Sequence, residues 1–151
     1  MKFQPIVIVA AGALLMPVTA SAVELYAAGK SDAEIRTEIV IRCQGQMGEF
    51  GSEAIDICVR AENASREALA EYPDEYFEIV RRCNRTMYKA GWNRIKLCSD
   101  KDIAARDALD AYPPTHADLI DSCRDQVGRY GHNEVKVCVD EKLAAADESS
   151  Q

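Results

Sequence analysis

Apolar residues along this chain recur at the three-and-four spacing of a helix face, and the whole pattern returns every 40 residues. In one copy, Tyr76, Val80, Cys83, Met87 and Ala90 stand four, three, four and three residues apart, which puts them on one side of a helix. Val40, Cys43, Met47 and Phe50 repeat that face one period earlier, and Ile120, Cys123, Val127 and Tyr130 repeat it one period later. A second helix in the middle copy has Ile95, Cys98, Ala105, Leu109 and Tyr112 on its inner face. Gly51, Gly91 and Gly131 align between the two helices of each copy, and Tyr72-Pro73 aligns with Tyr112-Pro113. A constant period without insertions is the signature of stacked supersecondary units. The pattern predicts an all-α protein: three tandem αα-hairpins, about six helices, in a short solenoid or compact bundle.

The predicted boundaries have chemical causes. Ser31 followed by Glu34 forms a capping box that opens the first helix. The three glycines suit the left-handed position that ends a helix. Ser52, Asn93 and Asn133 are expected to cap the second helices, and Thr115 the last hairpin. Pro73 and the Pro113-Pro114 pair stop the second helices and separate the copies. The hairpins are assigned to residues 35–74, 75–114 and 115–146, after a lead-in over 23–34 and before a frayed polar tail over 147–151.

Each copy carries one Cys-x14-Cys pair. Cys83 lies eight residues before Gly91 and Cys98 seven after it, so on antiparallel helices the two sit about 12 and 10.5 Å from the turn, nearly level. Both belong to inner faces. The same arithmetic around Gly51 and Gly131 predicts three bridges, Cys43–Cys58, Cys83–Cys98 and Cys123–Cys138, as structural staples. A redox-active reading is weaker, because no Cys-x-x-Cys occurs and every cysteine lies on an apolar face. A zinc reading is weaker still: no cysteines have knuckle spacing, and only His116 and His132 could assist.

The cysteines also bear on compartment. Lys2, the apolar run Ile6–Met16, and Ala20-Ser21-Ala22 together read as a signal peptide over residues 1–22 with the mature chain starting at Val23. Six cysteines after such a segment predict an oxidising destination, periplasmic or secreted, with no membrane anchor left after cleavage.

The net charge of −7 argues against a nucleic-acid partner. Charge is uneven, however. Residues 35–74 carry 4 basic and 8 acidic side chains, 75–114 carry 8 and 6, and 115–151 carry 4 and 8. Arg81, Arg85 and Lys89 form a stripe on the middle copy. The stripe is either a site for an acidic partner or one half of inter-repeat pairing with Asp121 and Asp125, which hold the positions of Arg81 and Arg85 in the third copy. The pairing is favoured. Trp92, the only tryptophan, follows Gly91 at a turn, where it serves either as a binding anchor or as packing over the helix ends. His132 takes the same place in the third copy.

The αα-hairpin plan with one cysteine pair per hairpin resembles the tetratricopeptide and Sel1-like class. The period of 40 and the missing W-x2-L-G-x2-Y pattern mark the departure, and no residue role carries over. No phosphate loop, nucleophile elbow or metalloprotease motif is present, so no catalytic residue, metal ligand or cofactor is assigned. The expected function is a non-enzymatic binding or scaffold module with a protein partner. Candidate contact residues are Trp92, Arg81, Arg85, Lys89 and His132. A periplasmic inhibitor or immunity protein stands beside that reading, and a hydrolase behind it.

Overall fold

The computed structural model describes residues 29–149. The signal-peptide segment, residues 23–28 of the lead-in and the last two residues of the tail lie outside the described residues. Six helices follow one another: α1 (Asp32–Met47), α2 (Ser52–Ala70), α3 (Phe77–Met87), α4 (Trp92–Asp110), α5 (Ala117–Val127) and α6 (His132–Ser149). No strand occurs among the described residues. Helix α6 continues past the end expected for the third hairpin at residue 146.

The helices pair as α1 with α2, α3 with α4, and α5 with α6, and the hairpins stack through their second helices, α2 on α4 and α4 on α6. Each hairpin is stapled near its middle. Cys43–Cys58, Cys83–Cys98 and Cys123–Cys138 are bonded, with Cα separations of 5.7, 5.7 and 5.8 Å. No free cysteine remains among the described residues. Such bridges persist in oxidising surroundings. No described helix is long and apolar enough to cross a membrane.

The capping box at Ser31 and Glu34 forms as the spacing predicts, with Glu34 accepting from the Ser31 backbone at 2.6 Å. The hairpin turns differ from expectation. Each first helix tightens into a 3-10 turn (Gly48–Phe50, Tyr88–Ala90, Gly128–Tyr130) before its glycine. The tighter winding takes the chain off the helix face, so Phe50 and Tyr130, expected inside, are exposed. The inner face of α1 also shifts by one position: Ile35 and Ile39 are buried, whereas Val40 is not. The glycines have φ of +92, +103 and +123° with ψ near 175°, an extended conformation open essentially to glycine alone rather than the left-handed helical one. The second helices begin at the very next residue. Ser52 therefore opens its helix instead of capping it, and Asn93 and Asn133 lie inside theirs; Thr115 lies within the 3-10 turn Pro114–His116 and makes no side-chain cap bond.

Two apolar clusters form the core. One joins Ile35 and Ile39 of α1, Leu69 of α2, Val80 of α3, and Trp92 and Ile95 of α4. The other joins Leu109 of α4 to Ile120 of α5 and to Val135 and Val139 of α6. Neither cluster fits within one hairpin, which is why the copies must stack.

Candidate functional site

Between successive hairpins lies a charged joint. Glu62 sits on the inner stripe of α2, only 5% exposed. Its carboxylate accepts from the backbone N–H of Trp92 at 2.8 Å and of Asn93 at 3.4 Å, the first residues of α4. Arg42 of α1 pairs with the same carboxylate at 2.7 Å. A helix N-terminus presents unsatisfied donors and a partial positive charge, so an anion from the preceding hairpin caps it. The guanidinium balances the charge that burial would otherwise penalise. One period later the device recurs. Arg82 pairs with Asp102, which is 4% exposed and accepts from the Asn133 N–H at 2.9 Å. Burial first, and then neighbouring Arg85, hold the Arg82 guanidinium below its ordinary pKa. A Cβ on Gly91 would stand 2.5 Å from Glu62 Oε2, and one on Gly131 would stand 2.5 Å from Asp102 Oδ1. Gly51, in the first described hairpin, has nothing within 4 Å of such a Cβ among the described residues.

The aligned tyrosines contribute to the same joints. Tyr72 donates to Asp100 and Tyr112 to Asp140, each across to the next hairpin. Burial, and then Asp100, raise the Tyr72 hydroxyl above its ordinary range. The Asp140 hydrogen bond is the main cause of the same shift in Tyr112.

Several sequence-predicted site residues serve other ends. Trp92 is 2% exposed and lies in the first apolar cluster, so its side chain is core and not a surface anchor. Arg81 pairs within its own helix with Glu78 at 2.5 Å, and Asp121 pairs within α5 with Arg124 at 2.5 Å. The expected pairing between copies does not form, because the stack runs through the second helices whereas these residues lie on first helices. Arg85 joins no ion pair among the described residues, and Lys89 lies 5.8 Å from the Tyr88 ring centroid. His132 is half-buried where Trp92 stands one period earlier. Burial, then Arg82, Arg106 and Arg124, lower its pKa, and Asp110 opposes them. His116 meets the edge of Tyr112 at 5.9 Å. Among the described residues no group of His, Cys, Asp or Glu has the arrangement of a metal site.

What the stack does open is a pair of equivalent bays on the side of the hairpin turns. The first, about 560 Å³, lies between hairpins one and two and is lined by Met47, Ile57, Ala61, Ala90, Asn93 and Arg94. The second, about 390 Å³, lies between hairpins two and three and is lined by Met87, Arg94, Leu97, Lys101, Arg129 and Tyr130. The disulfide cysteines Cys58 and Cys98 and the joint carboxylates Glu62 and Asp102 also line their respective bays. Ile57, Leu97 and Val137 hold the same repeat position and are 54, 43 and 43% exposed, so an apolar row crosses α2, α4 and α6 beside the bays. Neither histidine lines a bay, nor does any of Arg81, Arg85 and Lys89. The sequence holds a signal for this row: an aliphatic residue just before the second cysteine of every copy, off the inner face. Neither a family model, nor a curated protein, nor a solved structure matches the chain.

Proposed function

We propose that this protein is an exported, non-enzymatic binding module that takes a segment of a protein partner into the bays between its hairpins. The carrying observation is the exposed aliphatic row Ile57, Leu97 and Val137, repeated at the same position of every copy and flanked by bays that two hairpins build together. An isolated exposed apolar side chain needs no explanation; an aligned row over adjoining clefts is the form of an interaction surface. Three disulfides support an extracytoplasmic site of action, the periplasm being preferred. The position of both histidines outside the bays favours binding over hydrolysis.

Site-specific photo-crosslinking tests this reading. A photoreactive residue is placed at position 57 or 97, with position 41 as control, since Ile41 is apolar and 62% exposed but lies outside both bays. In an extract of the native cell envelope, positions 57 and 97 are expected to yield one discrete protein adduct that position 41 does not. Equal labelling at position 41, or no adduct at 57 and 97, rejects the bays as the binding surface.

A further inference from the structure

Resting on that reading, we propose the chemistry of the partner: an acidic segment carrying two apolar side chains about 10 Å apart, one for each bay, with its carboxylates over the second. The two bays are not alike. Where the first has Ala54 and Ala61, the second has Arg94 and Lys101 at the equivalent positions, and Arg129 joins them. Arg94 and Lys101 are exposed and enter no ion pair among the described residues, whereas Arg81, Arg82, Lys96 and Arg106 of the same hairpin all do. The Arg129 guanidinium lies 4.6 Å from the Tyr130 ring centroid and donates to its hydroxyl at 2.7 Å, which holds it at the rim. Of the two acids lining this bay, Asp102 is taken up by Arg82, leaving Glu134 against three cations. A chain with a formal charge of −7 thus gathers a positive rim at one place, around the apolar surface of Met87, Leu97 and Tyr130. Cations spaced round an apolar floor complement an acidic amphipathic ligand.

The length of the ligand follows from the stacking. Packed helices lie about 8–10 Å apart, so the two bays are one helix step from each other, and Arg94 lines both. Side chains seven apart on a helical ligand are about 10.5 Å apart along its axis. Methionine in both bays, Met47 and Met87, suits an adaptable floor. The overall acidity does not forbid the match. At 0.15 M salt, charges more than about 8 Å away are largely screened, and the rim dominates at contact.

The test uses the full mature chain with its disulfides intact and a labelled Glu/Ala peptide bearing two leucines seven apart. Fluorescence anisotropy at physiological salt is expected to show binding that falls at high salt. Arg94→Glu combined with Lys101→Glu is expected to weaken it about tenfold with an unchanged thermal melt, both positions being exposed. A peptide with lysine in place of glutamate is expected not to bind. Equal binding of the lysine peptide, affinity within about twofold in the charge-reversed variant, or no binding of the acidic peptide each overturns the acidic partner. Retention on phosphatidylglycerol vesicles without peptide binding also overturns it, in favour of a lipid surface. The crosslinks at positions 57 and 97 do not depend on the partner's charge, so they stand or fall separately.

Discussion

Replacing Gly91 by alanine isolates the joint between hairpins, because Gly51 supplies its control. Both glycines have positive φ, +92° at Gly51 and +103° at Gly91, with nearly the same ψ. An alanine at either position therefore takes on a similar backbone strain, about 1–3 kcal/mol. The surroundings differ. A Cβ at position 51 meets open space, while one at position 91 falls 2.5 Å from Glu62 Oε2 and 2.7 Å from Arg42 Nη1. The far end of a glutamate usually swings away at little cost. Here it is buried and pinned between a helix N-terminus and a guanidinium, so moving it uncaps α4 and loosens the ion pair. Losing the cap costs about 0.5–2 kcal/mol. Full loss of a partner in a buried pair would cost about 3–5, but a displaced carboxylate still reaches Arg42. An excess of about 1–3 kcal/mol over Gly51→Ala is expected.

Urea denaturation followed by far-UV circular dichroism measures the total change, and Trp92 emission reports the joint, since the indole is buried in the cluster that spans it. In a thermal melt the excess corresponds to about 4 °C per kcal/mol. Gly131→Ala should match Gly91→Ala, because Asp102 stands at the same distance. Adding Glu62→Ala to Gly91→Ala should cost less than the sum of the two, as expected when one change removes what the other collides with. Equal losses for Gly51→Ala and Gly91→Ala, within about 0.5 kcal/mol, would refute the joint as described.

Two further outcomes are expected. Replacing Cys83 and Cys98 together by alanine opens a loop of sequence separation 15 and should cost roughly 3 kcal/mol; a melt unchanged by this double substitution, or by reductant, contradicts the staple role. His132 has a folded pKa below its unfolded value, so its contribution is fully present above about pH 6.5 and is lost as pH falls through the lowered folded value. His132→Trp, which installs the residue found at this place in hairpin two, should remove that part of the pH dependence of the urea midpoint between about pH 7.5 and 5; an unchanged slope means that other groups carry it.

The repeat and the three bridges were legible in the sequence because period and level spacing are local arithmetic about a turn. The joint roles of Glu62 and Asp102 are not legible in the same way, since a charged side chain ordinarily belongs to a solvated face. The available clue was their register: both fall on the inner stripe of the second helix, and both keep the 40-residue distance from each other that Arg42 and Arg82 keep. Trp92 was ambiguous because a residue beside a turn glycine can lie at a free tip or against a neighbour, and only stacking decides. The pairing of Arg81 and Arg85 with Asp121 and Asp125 that their register suggests fails for a related reason. Equal register brings residues together only on the elements that form the stack, and those are α2, α4 and α6.

The joint also gives the stack a direction. Positions 42 and 62 are Arg and Glu, positions 82 and 102 are Arg and Asp, and positions 122 and 142 are Ser and Lys. Each carboxylate serves the helix of the hairpin that follows it. Ser122 and Lys142 supply neither the acceptor nor its guanidinium, and a lysine facing another helix N-terminus would set cation against positive dipole end. This joint therefore cannot form on the outer face of hairpin three. The two joints that do form have their carboxylates in the bay walls. A bay between two separate hairpins keeps its shape only if the hairpins keep their angle. The pairs Arg42–Glu62 and Arg82–Asp102, with their carboxylates buried, fix that angle, so the groups that lock the stack also pre-form the bays, and the partner proposed above would meet a groove that needs no ordering on binding.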